Sequence, residues 1–219
     1  MDNQILKPIN TLLSLSSILD LKEFREAKIL LNTKYGNIYN FLPPHLTYTL
    51  LPLPEENLEL AKEALTEYVR KQKKFKVHIS DLIYEEEKKF FYVALSGEMI
   101  KKHHGNLINL LNVYRENYIR EKDLKRLNTG HFDEQSIKYL KEYGYSRVFK
   151  NFTSHITIGN YTVENVDVKK LEKELRGILK NVLEKDIVID NIEGVFCTDS
   201  DTTQDKMELI WRKMFSLKK

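Results

Sequence analysis

The sequence predicts an α+β fold made of two similar halves. Each half contains a short apolar segment that begins with a histidine, "HLTYTL" at 45–50 and "HITIGN" at 155–160. In each half, a segment with helical periodicity follows the histidine segment, and two segments typical of strands follow the helix. This order recurs over most of the chain, so the prediction depends on an internal duplication.

The composition is that of a globular chain. The chain has 219 residues, of which 42% are hydrophobic and 31% charged, and these proportions exclude a disordered protein. The net charge of +3 permits an anionic partner without requiring one. Cys197 is the only cysteine, so an internal disulfide is excluded. No apolar run reaches the roughly 18 residues of a membrane helix, and we expect a cytoplasmic protein with no membrane partner.

In the first half, glycine and proline separate the predicted elements. Gly36 suits the left-handed turn that ends a helix. Pro43, Pro44 and Pro52 enclose the histidine strand, because proline cannot donate a hydrogen bond to a sheet. The predicted elements are a strand at 9–15, a helix at 20–36, a strand at 45–51, a helix at 55–72 and two strands joined by a charged turn at 85–89.

In the second half, apolar residues recur at three- and four-residue steps in two long segments, which predicts two amphipathic helices. Between them, residues 120–150 are polar and charged, and we predict a connecting insertion or a lid there. The predicted elements are a helix at 99–119, a short helix at 133–143, a strand at 154–161, a helix at 167–183 and strands near 186–196 and 206–216.

Both histidine strands carry the motif His-x-Thr. Side chains two residues apart on a strand point to the same face, so His45 projects together with Thr47, and His155 together with Thr157. The residues expected on the opposite face are Leu46, Tyr48, Leu50, Ile156 and Ile158.

If the two halves pack about a two-fold axis, the two pairs face each other across a cleft, where they suit phosphodiester chemistry. One neutral imidazole can accept a proton from the attacking hydroxyl or water, and the other, as imidazolium, can protonate the leaving oxygen. The unperturbed histidine pKa of about 6.5 lets both forms coexist near neutral pH. Threonine hydroxyls can hydrogen-bond the non-bridging phosphate oxygens. This chemistry needs no metal ion and no other cofactor.

The segment "YGYSRVFKNFTSH" at 143–155 offers further groups for a substrate. Arg147 and Lys150 can meet a phosphate, and Tyr145 can stack on a base. A solvated loop with hydrophobic anchors is the alternative interpretation. Tyr48 and Tyr161 lie beside the motifs, where substrate contact and core packing are both open.

The other four histidines are assigned no chemistry. His103 and His104 are adjacent on a helix, so their side chains do not share a face and structural roles are favoured. His78 is predicted on a sheet surface, and His131 lies in a loop.

With the motifs "HLTYTL" and "SHITIG" and the order of elements from about residue 5 to 216, the sequence resembles the 2H phosphoesterase superfamily. This superfamily includes 2′–5′ RNA ligase-like proteins and RNA 2′,3′-cyclic phosphodiesterases. The resemblance implies one bilobal α+β domain over 1–219, in which two pseudo-symmetric lobes with antiparallel sheets form a central cleft and the helices lie outside. The two histidines are 110 residues apart, a long separation for the superfamily, which marks 120–150 as an insertion.

The resemblance also implies metal-independent opening or cleavage of a phosphodiester at a 2′ oxygen, with His45, Thr47, His155 and Thr157 as the catalytic set. The implied substrate is an RNA end with a 2′,3′-cyclic phosphate, or a 2′–5′-linked or cyclic oligonucleotide. We expect a monomer without an obligate protein partner. A non-catalytic nucleotide- or RNA-binding module, RNA ligation, and a purely structural role of the two histidines remain alternatives, and the sequence does not show which histidine is the base.

Overall fold

The computed structural model describes residues 5–37, 43–198 and 208–219. Within these ranges the chain forms ten strands and six α-helices. The strands are β1 (Lys7–Ile9), β2 (Thr11–Ile18), β3 (His45–Pro52), β4 (Phe75–Glu85), β5 (Phe90–Ser96), β6 (Tyr118–Arg120), β7 (His155–Asn160), β8 (Lys185–Ile189), β9 (Asn191–Thr198) and β10 (Leu209–Ser216). The helices are α1 (Lys22–Tyr35), α2 (Leu58–Arg70), α3 (Glu98–Leu111), α4 (Glu121–Leu127), α5 (Glu134–Tyr143) and α6 (Val168–Leu179).

Eight of the strands form one antiparallel sheet in the order β10-β9-β2-β3-β7-β5-β4-β8. The sheet consists of two four-stranded lobes that meet at the two histidine strands. We call β10, β9, β2 and β3 the His45 lobe, and β7, β5, β4 and β8 the His155 lobe. The predicted α+β fold with two lobes of antiparallel strands is therefore confirmed.

The two lobes do not coincide with the two halves of the sequence. After β3 the chain passes through α2 to β4, which lies in the His155 lobe, and after β8 it returns to β9 and β10 in the His45 lobe. The two repeats share the order strand, helix, histidine strand, helix and strand: β2-α1-β3-α2-β4 in the first and β5-α3-β7-α6-β9 in the second, which also contains β6, α4, α5 and β8. Because each unit contributes its last strand to the other lobe, the chain connects the lobes twice.

Helices cover one face of the sheet. α2 and α3 pack against the His45 lobe through β10 and β3, whereas α1 and α6 pack together on the His155 lobe through β7. The sheet face under these helices is apolar and includes Leu46 and Ile156, both 0% exposed. The motif side chains, one position away on the same strands, consequently project from the other face.

The predicted helix at 99–119 is too long. α3 ends at Leu111, and a 3₁₀ turn at Asn112–Arg115 follows it. Glu116 and Asn117 then adopt positive φ angles of 50° and 64°, which reverse the chain. Residues 118–120 form β6, which pairs with β1 in parallel. The apolar periodicity of 99–119 continues across this break because Tyr114 still packs on the core.

Two further boundaries differ from the predictions. The single strand predicted at 186–196 is divided at Asp190 into β8 and β9, which lie in different lobes. In the segment 120–150, α5 agrees with the predicted short helix, with Asp133 as its N-cap and Gly144 in the left-handed conformation at its C-terminus. The helix α4 was not predicted. Residues 206 and 207 of the last predicted strand lie outside the described residues.

The segment 120–150 is packed against the sheet through two buried polar side chains. His104 of α3 donates from Nδ1 to the carbonyl of Tyr48 at 2.6 Å, and its Nε2 accepts from the backbone N–H of Phe149 at 2.8 Å. Arg115, 2% exposed, donates to the carbonyls of Lys141 and Glu142, each at 3.0 Å. The structural role predicted for His104 is thus confirmed, and the segment 120–150 packs against the rest of the fold.

Among the described residues, no helix combines the length and the apolar character that crossing a bilayer would require.

We predict that His104→Leu lowers the free energy of unfolding by about 2–4 kcal/mol, because it removes two hydrogen bonds and leaves a carbonyl and an N–H without partners. Urea unfolding monitored by circular dichroism measures the change. His131→Leu is the matched control, since His131 is exposed, and we expect a change below about 0.5 kcal/mol. Equal losses of unfolding free energy in the two variants would show that the hydrogen bonds of His104 do not stabilise the packing of the segment 120–150.

Candidate active site

The two His-x-Thr motifs lie side by side where the lobes join. β3 and β7 share one register pair, Leu46 with Ile156. In an antiparallel pair the neighbours of two partners also oppose each other, so each motif histidine lies across from the threonine of the other motif. By this geometry His45 lies across from Thr157, and Thr47 lies across from His155. The four side chains belong to the face opposite to Leu46 and Ile156, and the two histidines occupy diagonal positions.

A β-bulge follows each motif. One extra residue interrupts the ladder directly after each motif threonine: Tyr48 in β3 and Ile158 in β7. The register pairs on either side of the bulges are Ser16–Thr47 and Leu15–Thr49, and Tyr92–Thr157 and Phe91–Gly159. Bulges bend a strand and re-aim its side chains, and they are frequent next to active sites. The two bulges occupy equivalent positions in the two lobes.

The prediction that Leu50 lies on the face opposite to the motif is wrong, because the bulge at Tyr48 shifts the alternation of the strand. Strict alternation places Leu50 on the face opposite to the motif. In the structure, however, Leu50 and Thr47 are partners of Ser14 and Ser16, which are two residues apart on β2 and share a face. Leu50 is accordingly half-exposed, whereas Thr49 is 2% exposed and packs inside.

Each motif histidine is oriented by a backbone carbonyl two residues before it. His45 Nδ1 lies 2.8 Å from the carbonyl oxygen of Pro43, and His155 Nδ1 lies 2.8 Å from that of Thr153. A carbonyl can only accept, so both Nδ1 atoms carry hydrogen. Nε2 is then the nitrogen available for proton transfer in both rings.

Different charges surround the two histidines. Burial lowers the pKa of His45; the Pro43 carbonyl opposes this, and the positive charges of Lys28 and His155 lower the pKa further. Burial also lowers the pKa of His155, but there the cation Arg147 is opposed by the anion Glu85. Both imidazoles are therefore less basic than a solvated histidine.

A cavity of about 340 Å³ opens beside the motifs. Aromatic rings form much of its wall, and Arg147 is an exposed cation at its edge. Such a wall can hold a planar base, and the cation can pair with a phosphate. The lining residues that bear on function are Thr47, Glu85, Phe90, Tyr92, Tyr145, Arg147, Phe152 and His155.

The structure brings together most of the predicted site residues. Those that line the cavity are Thr47, Tyr48, Tyr145, Arg147 and His155. His45 and Thr157 lie beside them by the register of β3 and β7. Tyr48 has no reactive hydroxyl in the cavity, because that hydroxyl is buried and lies 2.8 Å from Ser17 Oγ.

Lys150 and Tyr161 lie outside the cavity lining. Lys150 lies at a separate surface groove beside Tyr139 and Tyr143. Tyr161 is 7% exposed, and its hydroxyl is hydrogen-bonded to that of Tyr84 at 2.7 Å. Core packing, the alternative interpretation of Tyr161, is therefore its observed role.

Tyr92 is a site residue that the sequence reasoning missed. It is the register partner of Thr157, and its ring contacts that of His155 edge-on, with 5.3 Å between the ring centres. The alternation in "FFYVALS" shows that Tyr92 faces away from the apolar residues beside it. The pairing of β5 with β7, which brings it to the motif, carries no signal in the sequence.

Residues of the segment 120–150 support Tyr145, which lines the cavity. The Arg120 guanidinium lies 5.4 Å from the centre of the Tyr145 ring, and Arg120 is itself fixed by a 2.6 Å bond from Nε to Asp123. Burial raises the pKa of Tyr145, so this phenol stays neutral. In the part of the chain that the structure describes, no group of three or more His, Cys, Asp or Glu is placed to hold a metal ion.

The two four-stranded lobes that meet at paired His-x-Thr strands agree with the bilobal fold that the resemblance to the 2H phosphoesterase superfamily implied. The chain itself belongs to the family described as "Protein of unknown function (DUF1045)", whose family model matches residues 62–204. None of the curated proteins matches the sequence.

Three solved structures illustrate the similarity of fold. TT0787 of Thermus thermophilus is 15% identical, with a TM-score of 0.53, and the match covers 94% of this chain and 97% of that chain. E. coli LigT complexed with 3′-AMP is 14% identical, with a TM-score of 0.46 and coverage of 97% and 100%. Kluyveromyces marxianus Usb1 is 10% identical, with a TM-score of 0.46 and coverage of 96% and 99%. At such identities the likeness to TT0787 concerns the fold alone.

We predict a specific order of histidine titrations. Asp186, hydrogen-bonded to His78, raises the pKa of that exposed ring above its usual value, whereas burial lowers the pKa values of His45 and His155 below it. Burial lowers the pKa of His103 to about 4. NMR titration of the ring protons measures this order.

Asp186→Asn is the control for that titration. It removes the charge beside His78 and should lower the midpoint of His78 alone. A motif histidine that titrates above His78 in the wild-type protein would contradict the electrostatics described here.

Proposed function

We propose that the protein is a metal-independent phosphodiesterase that uses two-histidine general acid/base catalysis. Its substrates would be RNA ends with a 2′,3′-cyclic phosphate, or 2′–5′-linked or cyclic oligonucleotides. The observation that supports the proposal is the register of β3 with β7, which brings the two His-x-Thr motifs next to each other at a cavity lined by Thr47 and His155. Phosphodiester transfer needs this set: a base, an acid and donors to the phosphate oxygens.

The reaction on a 2′,3′-cyclic phosphate would proceed by in-line attack of water on phosphorus. One histidine accepts a proton from the water through Nε2 as the new P–O bond forms. The other histidine, protonated at Nε2, donates its proton to the departing ribose oxygen as the old P–O bond breaks. Thr47 and Thr157 donate hydrogen bonds to the non-bridging oxygens, where negative charge increases in the transition state. The product is a phosphomonoester.

The cavity wall supports a nucleotide as the substrate. Tyr145 and Phe152 line the cavity together with His155, and stacking of a base on an aromatic ring is typical of single-stranded RNA recognition. Arg147 is exposed at the same cavity and can contact a phosphate on either side of the scissile linkage.

A binding module without catalysis would use the same cavity. Both interpretations predict nucleotide binding, and only the enzyme needs an imidazole that exchanges protons. The experiment below separates them, and it also detects RNA ligation, for which no feature of the site gives specific support.

We predict that the wild-type protein opens 2′,3′-cyclic nucleotides or cleaves 2′–5′-linked or cyclic oligonucleotides in the presence of EDTA. His45→Ala and His155→Ala should each lower kcat about 10²–10⁴-fold, because each removes a proton-transfer group. Chromatography that resolves 2′- from 3′-phosphates and ligated products identifies the reaction. His131→Ala is the control, since this exposed histidine lies in a loop.

Two results would contradict the proposed phosphodiesterase activity. One is nucleotide binding without turnover of any member of the panel, which supports the binding module. The other is equal turnover by the wild-type and His45→Ala proteins.

We further predict that Arg147→Ala raises KM about tenfold or more with a smaller effect on kcat, because a charge-assisted hydrogen bond contributes about 1.5–3 kcal/mol. Lys150→Ala is the matched control: it removes one cation three residues away, but Lys150 lies at the separate groove. Steady-state kinetics at two salt concentrations measures both variants. If the two variants lose affinity equally, the effect is general electrostatic attraction and not a contact in the cavity.

A further inference from the structure

Arg212 is an exposed cation of the His45 lobe that the proposed mechanism does not use. Register partners in a sheet share a face, and one row of partners crosses this lobe from Thr47 to Ser16, Glu193 and Met214. Arg212 is two residues from Met214 on β10, so its side chain belongs to the same face as the first motif. Solvent reaches this face, because Met214 is 52% exposed.

The packing of the neighbouring residues agrees with this assignment. A Cβ atom added to Gly194 would lie 2.7 Å from the Trp211 ring and 3.2 Å from Leu65 of α2. Gly194 and Trp211 therefore lie on the helix side of β9 and β10. The side chains of Glu193 and Arg212, one position along each strand, project from the opposite side.

Glu193 orients the guanidinium of Arg212. The side chain of Glu193 is 4% exposed, whereas that of Arg212 is 49% exposed. Arg212 donates from Nε to Glu193 Oε1 at 2.7 Å, and this is its only hydrogen bond within the described residues. Both Nη groups consequently keep their N–H donors for a ligand. An arginine fixed in this way suits a bidentate contact with a phosphate.

The cavity and Arg212 lie on opposite sides of the motifs. The cavity is lined by Tyr92 of β5 and by residues that precede β7, including Arg147, which places it towards the His155 lobe. Arg212 lies on the outermost strand of the His45 lobe. Its partner Glu193 is two strands from Thr47, which is about 10 Å at about 4.8 Å per strand. A nucleoside in the cavity with its phosphate at the motifs therefore leaves Arg212 beyond that phosphate, where a longer chain continues.

We propose that Arg212, oriented by Glu193, forms a second phosphate-binding site, which takes a phosphate of an oligonucleotide that crosses the motifs from the cavity to the His45 lobe. The inference rests on the proposed phosphodiesterase function and names its substrate class. A 2′–5′-linked or cyclic oligonucleotide has a second phosphate beyond the one at the motifs, whereas a terminal 2′,3′-cyclic phosphate has no nucleotide beyond it. The contact positions the chain and carries no information about its bases.

Equilibrium binding of a fluorescent 2′–5′-linked oligoadenylate tests this site. All proteins compared carry His155→Ala, which slows cleavage of the probe. The double variant Arg212→Gln/Glu193→Gln removes both charges, leaves the net charge unchanged and keeps two amides that can bond each other. Its Kd for the oligoadenylate should rise about fivefold or more, and its salt slope should fall by about 0.7, the value for one phosphate contact of a single strand. The Kd for adenosine 2′,3′-cyclic phosphate, which has one phosphate, should not change.

Two further variants assign the effect to the guanidinium. Lys213→Gln is the matched control, because Lys213 is an exposed cation next to Arg212 but is the register partner of Gly194 and so belongs to the other face. It should leave the Kd for the oligoadenylate unchanged. Glu193→Gln alone keeps the guanidinium and should bind the oligoadenylate at least as tightly as the parent protein.

Several results would overturn the second phosphate site. They are an unchanged Kd for the oligoadenylate in the double variant, an equal loss of affinity for the mononucleotide, and an equal loss in Lys213→Gln. A loss in Glu193→Gln as large as that in the double variant would assign the contact to the carboxylate and would also overturn it. Circular dichroism confirms that each variant folds.

The failure of the proposed function is distinguishable from the failure of this inference. If the protein with both motif histidines turns over no phosphodiester, the phosphodiesterase is rejected, and the binding measurement still decides whether Arg212 holds a phosphate. If that protein turns over the oligoadenylate and the double variant keeps its Kd and KM, the second phosphate site is rejected and the phosphodiesterase stands.

Discussion

The site depends on the single register pair between β3 and β7. Leu46 and Ile156 are both 0% exposed, and their burial under the helices forces the flanking residues of both strands to the opposite face. A shift of one residue in either strand would bury a histidine and expose an apolar side chain, which would forfeit the burial of a large aliphatic group. The hydrophobic core therefore fixes which side chains of the two strands face away from the helices.

Two strands exchanged between the repeats connect the two lobes. β4 belongs to the first repeat but pairs within the His155 lobe, and β9 belongs to the second repeat but pairs within the His45 lobe. The bulges after Thr47 and Thr157 interrupt the ladders of β3 with β2 and of β7 with β5, and each ladder continues beyond its bulge. A site built on paired strands in this way holds its groups more closely than loops would.

The sequence allowed the fold class, most helices and the four motif residues to be predicted, because each depends on local periodicity or on proline and glycine. The sequence places Leu50 on the wrong face, because the bulge at Tyr48 breaks the alternation of the strand. It does not indicate Tyr92, because this residue reaches the motif only through the pairing of β5 with β7. Lys150 was assigned to the site because it is close to His155 in sequence, but a 3₁₀ turn at Phe149–Asn151 directs it to another groove. Proximity in sequence is a weak guide where the chain turns within three residues.

The duplicated architecture places different side chains at one equivalent helical position. α1 and α3 are both 14 residues long and occupy the same place in the two repeats, and their seventh residues are Lys28 and His104. Both side chains are buried. His104 bonds the carbonyl of Tyr48 at the bulge of β3, whereas Lys28 has no hydrogen bond in the described structure. The duplication therefore fixes where the two helices lie, and the contacts between each helix and the sheet depend on the individual residue.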